Sequence, residues 1–181
     1  MNGACQHSRQ SGFTIIEVIA GIIVLAIALL GFSVAFGPQA ARSVDTIYQV
    51  RATELGSSLL NEIVSLSFDQ ANNRAGGSAR CGAVAPNACT ADIDFGPEPG
   101  ENRDDYNDVD DFDEFSATGE LLTGTTISEL YKNFTVLVTV CYAETAIAAC
   151  TTSIEDYKKV QVSVTTPNGQ VFSFTSYRGN I

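Results

Sequence analysis

The chain has 181 residues, 45% hydrophobic and 17% charged, which is the make-up of one folded domain and not of a disordered acidic tail. Acidic residues outnumber basic ones 21 to 10, a formal net charge of −11, which argues against a nucleic-acid partner because phosphate binding needs a basic face. There is no Trp and one His, His7, in a leader expected to be removed. A mature chain without imidazole has no His general base, no Ser/His/Asp triad and no His-ligated zinc, so it reads as a non-enzyme.

The first element is apolar. Val18 to Phe36 are nineteen positions without a charge, and as a helix they span roughly 28 Å, close to the hydrocarbon core of a bilayer. A buried core helix is the plainer reading, but a run this long that is apolar all round favours a membrane segment. It is not laid out as a secretory signal. The polar leader MNGACQHSRQSG carries Arg9, ends in Gly12 and precedes the apolar run, and Gly37-Pro38-Gln39 follows where a small-residue cleavage site would stand. Glu17 alone breaks the pattern. A carboxylate in hydrocarbon costs about 2.5–3.5 kcal/mol or more, so it calls for a partner. Cleavage after Gly12 would supply one, the free amine of Phe13, one helical turn away. A Glu17 that merely sits in the headgroup layer leaves the Gly–Phe junction unexplained.

The segment GFTIIEVIAGIIVLAIALLGF resembles the class III leader and N-terminal helix of type IV pilins and type II secretion pseudopilins. In that family a membrane peptidase cuts after the Gly and methylates the new N-terminal aromatic, and the Glu serves filament assembly. The resemblance therefore implies cleavage between Gly12 and Phe13, methylation of Phe13, and an assembly role for Glu17 with Phe13. Further blocks, FGPQAARSVDTIYQVRATELGSSLLNEI, RCGAVAPNACT, NDVDDFDEF and TTPNGQ with a closing SYR, are similar to the MshD-type minor pilins of the mannose-sensitive haemagglutinin (MSHA) pilus.

Beyond Pro38, which with Gly37 is expected to kink or loosen the helix, the pattern becomes amphipathic. Val44, Tyr48, Ala52, Leu55, Leu59, Ile63 and Leu66 form one stripe, with Arg42, Asp45, Arg51, Glu54 and Glu62 facing away. Thr14 to about Ser67 would make a helix of 54 residues, roughly 80 Å, whose N-terminal half projects as a stalk.

Four cysteines follow outside the leader: Cys81, Cys89, Cys141 and Cys150. Of three possible pairings, the short C-x7-C and C-x8-C spacings favour Cys81–Cys89 and Cys141–Cys150 over four free thiols, and disulfides place the head outside the cytoplasm. Cys81 lies among Gly, Ala, Pro and Asn, so its bridge reads as a staple on a loop with little core of its own.

Asp92 to Glu120 holds twelve acidic residues and one Arg, so this one segment carries the whole net charge of the chain. Tyr106, Val109, Phe112 and Phe115 recur at spacings of three, a pattern that pins the segment to the head while its acids face solvent. A solvated acidic loop is one reading. The other is an irregular Ca²⁺ site with oxygens from Asp104, Asp108, Asp110, Asp111 and Asp113; the Gly of an EF-hand loop is missing. Nothing suggests a sugar cleft for a glycosidase carboxylate pair.

The C-terminal runs NFTVLVTVCY, KKVQVSVTT and QVFSFTSY alternate with period two and predict antiparallel strands. A three-residue loop, Pro167-Asn168-Gly169, sets Val164 opposite Phe172 and Val162 opposite Phe174, which keeps the apolar faces together. The expected fold is α+β, a long N-terminal helix with a transmembrane first half, packed on an antiparallel β-sheet head. The expected segments are the leader 1–12, the transmembrane and assembly helix 13–37, the amphipathic half 38–67, a disulfide and acidic loop region 68–129, and the sheet 130–181.

The resemblance implies partners as well: other pilin subunits in a helix bundle, the prepilin peptidase, and the inner membrane before assembly. It implies a single-pass inner-membrane protein with a periplasmic head, later part of a pilus at the cell surface. Alternative readings are a type II secretion pseudopilin, a tip adhesin or Ca²⁺-binding surface module, and a signal-anchored binding protein that never polymerises.

Overall fold

The computed structural model describes residues 12–72, 80–82, 88–118 and 128–181, leaving aside the side chains of 35–44 and 128–129. The chain forms two compact units, Met1–Val44 and Asp45–Ile181. One helix, α1 (Ile15–Val64, 50 residues), contributes to both.

In the first unit α1 begins after Thr14, whose carbonyl accepts the amides of Glu17 and Val18 at 3.1 and 3.2 Å. From Ile15 to Val34 the helix is long and apolar enough to cross a membrane, and none of this stretch is buried within the chain. Its side chains project all round, as a helix needs when its solvent is lipid. Helical backbone continues through Gly37 and Pro38, so the pair does not end the helix although Pro38 has no N–H for the ladder. Val44, predicted to open the apolar stripe, and Arg42 have side chains outside the described set.

In the second unit the rest of the stripe packs as its spacing predicts. Ala52, Leu55, Leu59 and Ile63 are buried, with Tyr48 and Leu66 against the same core. Arg51 reaches out to the Leu130 carbonyl at 2.9 Å, and Glu54 and Glu62 are exposed. The helix stops where Ser65 turns its hydroxyl back on the Glu62 carbonyl at 2.7 Å.

The core partner is an antiparallel sheet of β1 (Ser116–Thr118), β2 (Thr135–Ala143), β3 (Cys150–Thr151), β4 (Tyr157–Thr165) and β5 (Val171–Gly179). The order is β1-β2-β4-β5, with β3 also on β2. Val136, Val138 and Val140 face Val164, Val162 and Val160 across the central pair, all buried. Val164 pairs with Phe172 and Val162 with Phe174, the register that a three-residue loop requires. The loop closes with the Gly169 amide on the Thr166 carbonyl, and Gly169 takes the left-handed φ of 82°. Gly56 of α1 sits so close to the sheet that a Cβ there would lie 2.4 Å from the Phe174 ring and 3.1 Å from Val164.

Two strands are additional to the three predicted, and β1 also lies ahead of the expected sheet region 130–181. β1 comes from the acidic segment and pairs with β2 at Ser116–Leu137. β3 carries Cys150 to Ala143 on β2. Both are too short for a period-two pattern to reveal.

Candidate functional site

The first candidate site is the start of the chain. Gly12 and Phe13 precede α1, and Phe13 is 82% exposed. Thr14 and Glu17 stand at the T-x-x-E spacing of a capping box, and the Glu17 amide reaches the Thr14 hydroxyl at 3.4 Å. Glu17 thus has a local role, a negative charge in the first turn where the helix dipole favours it. The side chain of Glu17 is exposed. The leader 1–11, with Cys5, His7 and Arg9, lies outside the described residues.

The second candidate site is the acidic segment, which the structure binds to the head at several points. Val109 and Phe112 are buried in the core, and Tyr106 and Phe115 pack against it. Arg103 lies 4.6 Å from the Phe112 ring centre and holds Glu62 of α1 at 2.6 Å. Ser67, just past α1, bridges to Asp108 and so fixes the segment beside the helix end.

The five aspartates considered as cation ligands do different work. Asp104 is exposed. Asp108 Oδ1 accepts the amides of Asp110 and Asp111. Asp111 Oδ2 accepts those of Asn107 and Asp108. Asp113 Oδ1 accepts the Val140 amide of β2 at 2.7 Å. Asp110 pairs with Lys158. Asp108, Asp110 and Asp111 are buried, unlike the solvent-facing acids the sequence suggested, because their oxygens satisfy backbone donors and an ammonium.

Lys158 is the centre of that arrangement. It is fully buried and donates to the Phe68 carbonyl at 2.8 Å, Asp69 Oδ2 at 3.2 Å and Asp110 Oδ1 at 2.6 Å. The rings of Phe68, Phe95 and Tyr142 surround the ammonium at 4.7, 4.7 and 5.5 Å. All three of its N–H bonds are used, which is the condition for keeping a charge out of water. A signal for it was present in the sequence. The alternation of Val164, Val162 and Val160 extends one step further to Lys158, which places a lysine on the core face of β4.

Burial pushes the Asp108 carboxyl up to about 9, helped by the charge of neighbouring Asp110. Burial also raises Glu98, to about 7, with its hydrogen bond to Glu101 as a second cause. Asp111 and Asp113 are raised by burial as well. Glu98, Glu101 and Asp111 each offer an oxygen within 4.8 Å of the others. Glu98 and Glu101 lie outside the set read from the sequence, which kept to the dense run of aspartates.

Disulfides join Cys81 to Cys89 and Cys141 to Cys150. The first is not the coreless staple that its flanking sequence suggests. Cys81 and Cys89 are buried beside Phe68 and Tyr142. Asn180 donates to the Cys81 carbonyl at 3.1 Å, and Asn72 accepts the Cys81 amide at 2.8 Å, so the bridge ties the helix exit to the C-terminus.

Residues 7–33 match the family described as Prokaryotic N-terminal methylation motif. The match spans the Gly12–Phe13 junction, Glu17 and most of the apolar helix. It is a type IV pilin-like prepilin signal, which indicates a pilin- or pseudopilin-like precursor. That signal implies processing by prepilin peptidase and assembly with other pilins, and with the apolar helix it fits membrane anchoring. Neither a curated protein nor a solved structure matches the chain.

Proposed function

We propose that this chain is a minor type IV pilin of the MSHA type. It is made as an inner-membrane prepilin, cut between Gly12 and Phe13, methylated on Phe13, and built through its N-terminal helix into the pilus or its priming or tip complex. The observation that carries this reading is the methylation motif over residues 7–33, set on a helix whose apolar stretch Ile15–Val34 finds no cover among the described residues. Such a surface is stable in lipid before assembly and in a bundle of like helices afterwards. The head supplies a disulfide-linked α+β body suited to an oxidising space outside the cytoplasm.

Mass spectrometry of the mature N-terminus tests the reading. A chain beginning at methyl-Phe13 and recovered from sheared filaments supports it. A chain that keeps Met1 points to a signal-anchored protein that does not polymerise. A processed chain found with the secretion apparatus, and absent from pili, points to a pseudopilin.

A further inference from the structure

We propose that Glu98, Glu101 and Asp111 form a Ca²⁺ site on the head. Their three oxygens lie within 4.8 Å of one another, the separation that one ion sets when its ligands stand about 2.3–2.6 Å from it. Two further observations point at a ligand. Asp111 is 1% exposed, and while its Oδ2 takes the Asn107 and Asp108 amides, its buried Oδ1 has no N–H or hydroxyl donor among the described residues. Glu98 Oε2 is buried without an N–H or hydroxyl donor among the described residues, and its carboxyl lies against those of Glu101 and Asp111. Burying such oxygens together is costly unless a cation completes them.

The surroundings suit Ca²⁺ more than Mg²⁺. The ligands come from a loop held at its ends, and Ca²⁺ accepts six to eight oxygens in irregular geometry where Mg²⁺ demands an octahedron. Asn107 donates its side-chain amide to Glu101 Oε1 at 3.2 Å, and turning that amide over presents its oxygen to the same point. Water fills the remaining positions. The site is independent of the pilin reading, because it needs only the folded head.

The experiment uses the full processed chain in detergent micelles, stripped with chelator. CaCl₂ titration is followed by calorimetry and by the melting temperature, with MgCl₂ as the comparison. The expected result is one saturable site, of affinity on the order of 10⁻⁴–10⁻³ M as in extracellular modules, and a rise in melting temperature with Ca²⁺ above that with Mg²⁺. The Glu98→Gln/Glu101→Gln double variant keeps the Glu98 amide's acceptor and relieves repulsion, so it folds; it loses both the heat and the rise. Asp104→Asn, outside the site, binds as the parent chain does. No heat and no rise in the parent chain overturn the proposal, and so does undiminished binding by the double variant.

Discussion

At the scale of single residues the head is organised by where its carboxylates end up. Lys158 satisfies Asp69 and Asp110, but Asp108, beside Asp110, has a buried Oδ2 with no donor. A proton on Asp108 turns its carboxyl into a donor to Asp110, and burial holds it there up to about pH 9. The folded-state value is raised above the unfolded one of 3.8. Its contribution to stability is therefore full below about pH 4 and is lost as pH rises towards about 9. Asp108→Asn keeps the oxygen that accepts the Asp110 and Asp111 amides and brings a permanent donor. It is expected to be more stable than the parent at pH 8 by about 1–3 kcal/mol and to flatten the fall between pH 4 and 9. Urea melts across that range in the presence of chelator check this. A variant that melts with the parent's pH slope removes Asp108 as its source.

At the scale of elements, the long helix and the hairpin were legible because their signals are local. The stripe from Tyr48 to Leu66 and the alternation along β2 and β4 each repeat over several periods, and Pro167-Asn168-Gly169 admits one loop length that keeps the apolar faces together. What was not legible depends on residues far apart in the chain. Lys158 meets Asp69 across 89 positions and Asp110 across 48, and no spacing rule announces which of many aspartates are spent on amides. β1 and β3 are strands only because β2 lies beside them. Gly56 belongs to the same class. In sequence it is a weak point in a helix, but in the fold it is where α1 approaches β4 and β5. Gly56→Ala adds roughly 1 kcal/mol of helix propensity yet drives a methyl into the Phe174 ring, and overpacking of this kind costs about 1–3 kcal/mol. The net expectation is a lower melting temperature. Phe174→Leu in the Gly56→Ala background, which frees the space, is expected to recover part of it. A Gly56→Ala chain that melts higher than the parent would show that the ring yields freely.

At the scale of the whole molecule, the two units are made of different material. One is a charge-poor helix with its apolar surface outward, and the other is a packed head holding the acidic segment. Glu17 belongs to the first, and its T-x-x-E spacing from Thr14 in the first turn of α1 means that loss of assembly on replacing it can be read in two ways. Two substitutions separate them. Glu17→Gln removes the charge but keeps a side chain that a capping box accepts at this position, and Glu17→Val removes both. If pairing with the Phe13 amine drives incorporation, both variants insert in the membrane and both fall at least tenfold in sheared filaments, measured by immunoblot against the membrane pool. If capping is what matters, Glu17→Gln assembles as the parent does. The methylation motif and the apolar run were readable without any fold, because a peptidase and a bilayer both act on linear sequence.

Asn180 also bears on how the protein is handled at the bench. Ile181 is 95% exposed while Asn180 is 6% exposed and clasps the Cys81 loop. Any segment fused directly after Ile181 would start one residue from a locked anchor, and production in a reducing host leaves that anchor holding Cys81 without its disulfide. Fusions are better carried elsewhere, and export to an oxidising space should come before purification.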